Sequence, residues 1–207
     1  YHLGSVGFGT TATGEWVQIT TDSPDIQTGG TRGVFGGGFK SSPGNQDVID
    51  YINIDTTGNA IDFGDLSAAR SALGATSDRT RGIFVSGYTP SNTDIIEFFT
   101  FASTGGVTDF GNLTSARRYS TAASNGTRGL IAGGYTSNYV EEIEYVTIQS
   151  EANAVDFGNL ATDATDRVAV CSKTKSVIAG GEDGGGRITS IEYVITATLG
   201  NGADYGD

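Results

Sequence analysis

The chain has one cysteine, one histidine, one tryptophan, three prolines and no methionine among its 207 residues. A single thiol, Cys171, excludes an intrachain disulfide and any cysteine-cluster metal site. In "VAVCSK" it alternates with apolar residues, which predicts a small buried hydrophobe. The lone histidine, His2, stands at the N-terminus, so neither a Ser-His-Asp or Cys-His arrangement nor an imidazole metal cluster is available. Positive charge is scarce as well, with 12 Lys and Arg against 24 Asp and Glu, a net charge of −12. That balance repels phosphate backbones and anionic head groups and argues against a nucleic-acid partner. No stretch reaches the roughly 20 apolar residues of a membrane helix, so no membrane insertion is expected. "YHLGSVGFGT" lacks the basic and apolar regions of a signal peptide. Without methionine, even at position 1, the chain reads as a processed product or a piece of something longer.

Glycine, by contrast, is abundant and dispersed, which predicts many turns in a chain that keeps enough apolar and aromatic residues for a core. The stretch "TRGVFGGGFKSS", Thr31 to Ser42, has the composition of a phosphate loop but not its spacing, because Phe39 separates Gly38 from Lys40. It recurs instead as "TRGIFVSGY" from Thr80, "TRGLIAGGY" from Thr127 and "TKSVIAGGE" from Thr174, at spacings of 49, 47 and 47 residues. A second motif follows each copy: "IDYINI" from Ile49, "IEFFTF" from Ile96, "IEYVTI" from Ile143 and "IEYVIT" from Ile191. A third closes each unit, with "DFG" at Asp62, Asp109 and Asp156 and "DYGD" at Asp204. A short fourth run precedes the next unit, as in "SALGAT", "YSTAAS" and "VAVCS".

Each part reads as a strand, "RGLIAGG" as an apolar run ending in a glycine pair and "IEYVTI" by its alternation, and no helical periodicity extends over two turns. The expectation is an all-β chain of four-stranded units about 47 residues long, the signature of a β-propeller blade. Residues 31–207 supply four full blades starting near 31, 80, 127 and 174. Residues 1–30, with Trp16 near the place of Phe63, supply an abbreviated fifth or a ring-closing segment. The glycines Gly37-Gly38, Gly87 (after Ser86), Gly133-Gly134 and Gly180-Gly181 are read as structural, allowing close backbone approach.

Arg117, the strand and diglycine "RGLIAGG", Tyr135, "IEYVTI", Phe157 and Leu160 together resemble a kelch repeat. Phe63, Phe110 and Phe157 replace the usual tryptophan, and Ala164 is the ungapped counterpart of Arg70 and Arg117, so the resemblance is kelch-like. The wording "DFGNLTSARRYSTAASNGTRGLIAGGY" resembles repeats in tailed bacteriophages, especially those of marine cyanobacteria. This resemblance implies a virion-located tail-fibre or other structural protein. Its implied partners are other virion proteins and a host-surface glycan or protein, with a homo-oligomer open. It implies no enzymatic activity; a carbohydrate-active enzyme or a cellular interaction adaptor is the alternative on such a scaffold.

No cofactor and no metal site is expected. The recurring carboxylates Asp62, Asp109, Asp156 and Asp204, and Asp50, Glu97, Glu144 and Glu192, are read as structural, the "DFG" aspartates as turn caps. "GGEDGGGR" is read as a tight turn in preference to a calcium loop. Binding capacity is expected where units differ, in the connections after the diglycine, with Lys40, Asn92, Tyr139, Asp183 and Arg187 as candidates on one face.

Overall fold

A computed structural model describes residues 31–207, with the backbone of two short strands, His2–Leu3 and Glu15–Trp16, which pair antiparallel. The rest of the expected abbreviated unit lies outside the described residues, as does the side chain of Trp16. Every regular element described is a β-strand. Arg32–Gly36, Val48–Asn53 and Ile61–Asp65 form a first sheet; Gly74–Ser77, Arg81–Val85, Thr93–Thr100 and Thr108–Arg117 form a second. The third contains Thr121–Ser124, Arg128–Ala132, Glu142–Thr147 and Val155–Asn159, and the fourth Val168–Cys171, Lys175–Ala179, Ile191–Ile195 and Ala203–Gly206. Strands follow chain order and all pair antiparallel. Among the described residues the first sheet has three strands and not the expected four, because the run after its "DFG", Gly74–Ser77, pairs with Arg81–Val85 of the second sheet. "GGEDGGGR" contains the hairpin Glu182–Asp183 with Gly186–Arg187, in agreement with the turn reading.

The first strands of the second to fourth sheets lie side by side. Those of the second and third sheets begin at Gly74 and Thr121, later than the motifs suggest, and that of the fourth at Val168 as expected. Ahead of each, Ala72, Tyr119 and Asp166 adopt φ of 55°, 58° and 54° and interrupt the pairing that isolated bridges at Ser71, Arg118 and Thr165 begin.

Alternation then decides which neighbour each side chain meets. Ile83, Val85, Ile96 and Phe110 of the second sheet pack against Ile131, Val146 and Ile148 of the third. Leu130, Ile143 and Phe157, on the other face of the third, pack against Ile178 and Val194 of the fourth. Phe84 and Phe99 likewise point back to Ile49 and Phe63 of the first. Each pair of consecutive sheets thus encloses its own core.

Polar devices repeat at the same junctions. The arginine of each Thr-Arg-Gly lies over an aromatic of its own sheet and donates to a carbonyl of the next. Arg32 bonds Phe101 O at 2.6 Å, Arg81 bonds Ile148 O at 3.1 Å and Arg128 bonds Thr196 O at 2.9 Å. Their guanidinium carbons stand 4.6, 3.9 and 4.2 Å from the rings of Tyr51, Phe98 and Tyr145. Lys175 keeps the stacking, 4.4 Å from the Tyr193 ring.

The "DFG" motif is a β-bulge. Asp50 pairs with Asp62 and Ile49 with Gly64, so Phe63 is the extra residue; Phe157 and Tyr205 occupy equivalent places. The motif's aspartates therefore stand within strands and not in turns, although Asp204 Oδ1 accepts from Gly206 N at 3.2 Å, the local capping that was expected. Gly64, Gly111 and Gly158, with φ of 149°, 146° and 146°, admit the following sheet's loop so closely that a Cβ would strike the carbonyls of Gly105, Ala152 and Gly200.

At both ends of the array the repeat positions lie open. Phe35 is 60% exposed where its counterpart Phe84 is 2% exposed, and Tyr205 is 59% exposed where Phe157 is 2% exposed. Val168 and Val170 are exposed on the same side as Tyr205.

Candidate functional site

Three buried ion pairs occupy corresponding places between units. Arg70 Nη2 meets Glu97 Oε2 at 2.6 Å, Arg117 Nη2 meets Glu144 Oε2, and Arg167 Nη1 meets Glu192 Oε1 at 2.8 Å. Burial lowers the pKa of the Arg70 and Arg117 guanidinium groups, opposed by the adjacent glutamates. Glu97, Glu144 and Glu192 also accept from Ser67 N at 3.2 Å, Thr114 N at 2.8 Å and Ala161 N at 2.6 Å, anchoring the chain that leaves the preceding sheet. Ala164 does not end the series, since Arg167 supplies the guanidinium from three positions further on. These carboxylates are occupied in holding units together.

The connections after the diglycine form one face. Gly37-Gly38, Gly133-Gly134, Gly180-Gly181 and Gly87 all take positive φ, and Ser86 matches them at 58°. A Cβ on Gly37 would stand 2.6 Å from Arg70 O and one on Gly133 2.7 Å from Ala164 O, so close approach to the inter-unit chain is the role of the pair. Gly38 meets nothing within 4 Å, and there the positive φ alone demands glycine.

The five candidate residues are not equivalent. Asn92 is half-buried and structural, its amide nitrogen donating to Tyr135 O at 3.1 Å and Thr136 O at 2.7 Å of the next connection. Asn45 does the same to Tyr88 O at 2.8 Å. Tyr139 holds the matching place in the third connection and lies against the "EDGGG" hairpin, 3.8 Å from where Gly184 would carry a Cβ. Partial burial and the nearby Glu182, Asp183 and Asp166 carboxylates, with Tyr135, raise the Tyr139 pKa. Asp183 Oδ1 turns back to accept from Gly185 N at 2.7 Å. Lys40 and Arg187 are exposed, and no hydrogen bond or ion pair joins them to the other three.

Beside Tyr139 lies a cluster the sequence motifs did not single out. The Arg118 guanidinium carbon stands 4.8 Å from the Tyr88 ring, 5.3 Å from Tyr119 and 5.2 Å from Tyr135. Tyr135 and Tyr139 meet edge to face, their centroids 5.6 Å apart. A signal was present: Arg118 replaces the Ser71 and Thr165 of neighbouring units, and Tyr119 replaces Ala72 and Asp166. Only this unit breaks the pattern there with both a cation and an aromatic.

A second concavity, of about 580 Å³, lies among the turns after the first strands, bordered by Asp78, Arg79, Asn125, Cys171 and Lys173. Its acceptors serve their own turns: Asp78 Oδ1 takes Thr80 N and Arg81 N at 2.7 Å, and Asn125 Oδ1 takes Arg128 N at 2.9 Å. Cys171, the last residue of its strand, is half-buried and not the buried hydrophobe expected, with Ser176 Oγ and Thr196 Oγ1 at 3.0 and 3.5 Å from its sulfur.

These features define an antiparallel all-β protein of serially packed sheets, with an aromatic and cationic cluster on one loop face. No protein-family model matches the chain, and comparison with curated proteins finds no match.

Proposed function

We propose that the chain is a kelch-like β-propeller array acting as a non-enzymatic structural or host-binding module of a tailed-phage particle, attached to other virion proteins. The observation that carries the reading is a constant sheet-to-sheet junction joined to a variable loop face. The arginine staples, ion pairs and bulge glycines repeat, whereas Arg118, Tyr119, Tyr139 and the "EDGGG" hairpin differ from unit to unit. A scaffold that holds its strands and varies one face is organised for recognition. The exposed apolar positions at Phe35 and Tyr205 support a ring, because closure covers both ends. Engagement of Glu97, Glu144 and Glu192 by arginines supports a non-enzymatic role, since it removes the recurring carboxylates from acid-base work.

Mass spectrometry of purified virions tests the reading, with the protein expected at the stoichiometry of a symmetric appendage. Isolated protein is expected to compete with particles for adsorption to host cells, and Tyr139→Ala to compete less well while folding normally. Absence from particles, or turnover of a host polysaccharide by the isolated protein, overturns it.

A further inference from the structure

Arginines in this protein are consistently given acceptors. Among the described buried or half-buried ones, Arg70, Arg117 and Arg167 meet glutamates, while Arg32, Arg81 and Arg128 meet backbone carbonyls. Arg118 is the exception: among the described residues no acceptor receives a hydrogen bond from its guanidinium, and its Nε is buried without a partner, as are those of Arg70 and Arg117, each of which nonetheless meets a glutamate. Three tyrosine rings surround it, of which Tyr119 is exposed. Such a guanidinium loses hydration on the ring side and keeps its planar fork of donors for an incoming anion, a geometry matched by a carboxylate. The neighbouring rings offer an apolar platform for a sugar ring.

We propose that Arg118, with Tyr88, Tyr119 and Tyr135, forms a binding site for a carboxylated saccharide, the uronic-acid class of surface glycan. Arg118 takes the carboxylate and Tyr119 stacks on the pyranose. The carboxylates of Asp166, Glu182 and Asp183, which act on the adjacent Tyr139, and the net charge of −12 favour a ligand with one negative charge per sugar over a phosphate-rich polyanion. The inference rests on the host-binding reading for its biological use, but the chemistry is testable on the isolated protein.

Titration of the full chain with sodium glucuronate, followed by NMR of the Arg118 Nε–H and tyrosine ring signals, is expected to show saturable shifts, whereas glucose at equal concentration gives none. Arg118→Lys keeps the charge but loses the fork and is expected to weaken binding about tenfold. Tyr119→Ala, at an exposed position, is expected to weaken glucuronate binding with the thermal unfolding midpoint unchanged, which separates recognition from folding. Equal shifts with glucose, equal binding by inorganic phosphate, or unaltered glucuronate binding in both variants overturns the site. Glucuronate binding by a protein absent from virions leaves the site standing and ends the phage reading. Presence in virions without glucuronate binding does the reverse.

Discussion

Arg167 shows how far a side chain can move along the sequence and still fill the same place. Aligned without gaps, Ala164 stands opposite Arg70 and Arg117, and the ion pair looks lost in the last unit. Arg167 nevertheless reaches Glu192 at 2.8 Å and also bonds Gly180 O at 3.0 Å. Removal of one partner leaves a buried charge, so Arg167→Leu is expected to cost about 3–5 kcal/mol in urea unfolding. The double variant Arg167→Leu/Glu192→Leu should recover much of that loss, because no unpaired charge then remains. Asp78 gives a pH-dependent counterpart. Burial alone raises its pKa, but hydrogen bonds from Gln149, Thr80 and Arg81 outweigh it, and the net shift is downward. A depressed carboxylate pKa adds stability that is present above the unfolded value and is lost as pH falls through the folded one. Asp78→Ala should therefore lower the urea midpoint at neutral pH, and the gap to the parent should narrow below about pH 4.

At the scale of elements, the bulge glycine separates two effects that usually occur together. Gly158 and Gly206 share φ of 146° and 145°, but only Gly158 faces the backbone of a following loop, at Gly200. Backbone strain from a Cβ is the same at both places. Gly158→Ala should thus cost more than Gly206→Ala by about 1–3 kcal/mol, the usual range for overpacking, measured as a difference in denaturant midpoint at constant m-value. The strands themselves were legible in the sequence, because alternation and repetition are local. "IEYVTI" and "RGLIAGG" fall on Glu142–Thr147 and Arg128–Ala132. The bulge was not legible: Phe157 as an extra residue depends on the register of Glu144 with Asp156, a relation between strands. For the same reason the aspartates of "DFG" looked like turn caps although they stand in strands.

For the whole molecule, repetition makes each sheet's two faces complementary to its neighbours', and the ends reveal it. Phe84→Ala, between the first and second sheets, is expected to cost about 3–5 kcal/mol. Phe35→Ala, at the same repeat position, should stay within about 0.5 kcal/mol of the parent, as an exposed site does. Urea unfolding of both variants checks this, and equal costs mean that the first sheet's outer face is covered in solution. The candidate site also belongs to this scale. Tyr139 and the "EDGGG" hairpin could be nominated as variable connections, and the structure brings them together. Asn92 was nominated by the same rule but spends its amide on the next connection.

The sequence by itself determined an all-β chain, the four-part unit and the glycines after the first motif, since these follow from periodicity and local backbone sterics; the need for glycine at Gly64, Gly111 and Gly158 appears only where the next sheet's loop approaches. Only the tertiary structure decided which arginines are satisfied. Arg118 stands beside its chain neighbour Tyr119, and strand pairing brings it to Tyr135 of its own unit while sheet packing brings it to Tyr88 of the preceding one. A guanidinium's partners lie within a few ångströms in space and tens of residues away along the chain, and only packing brings them together.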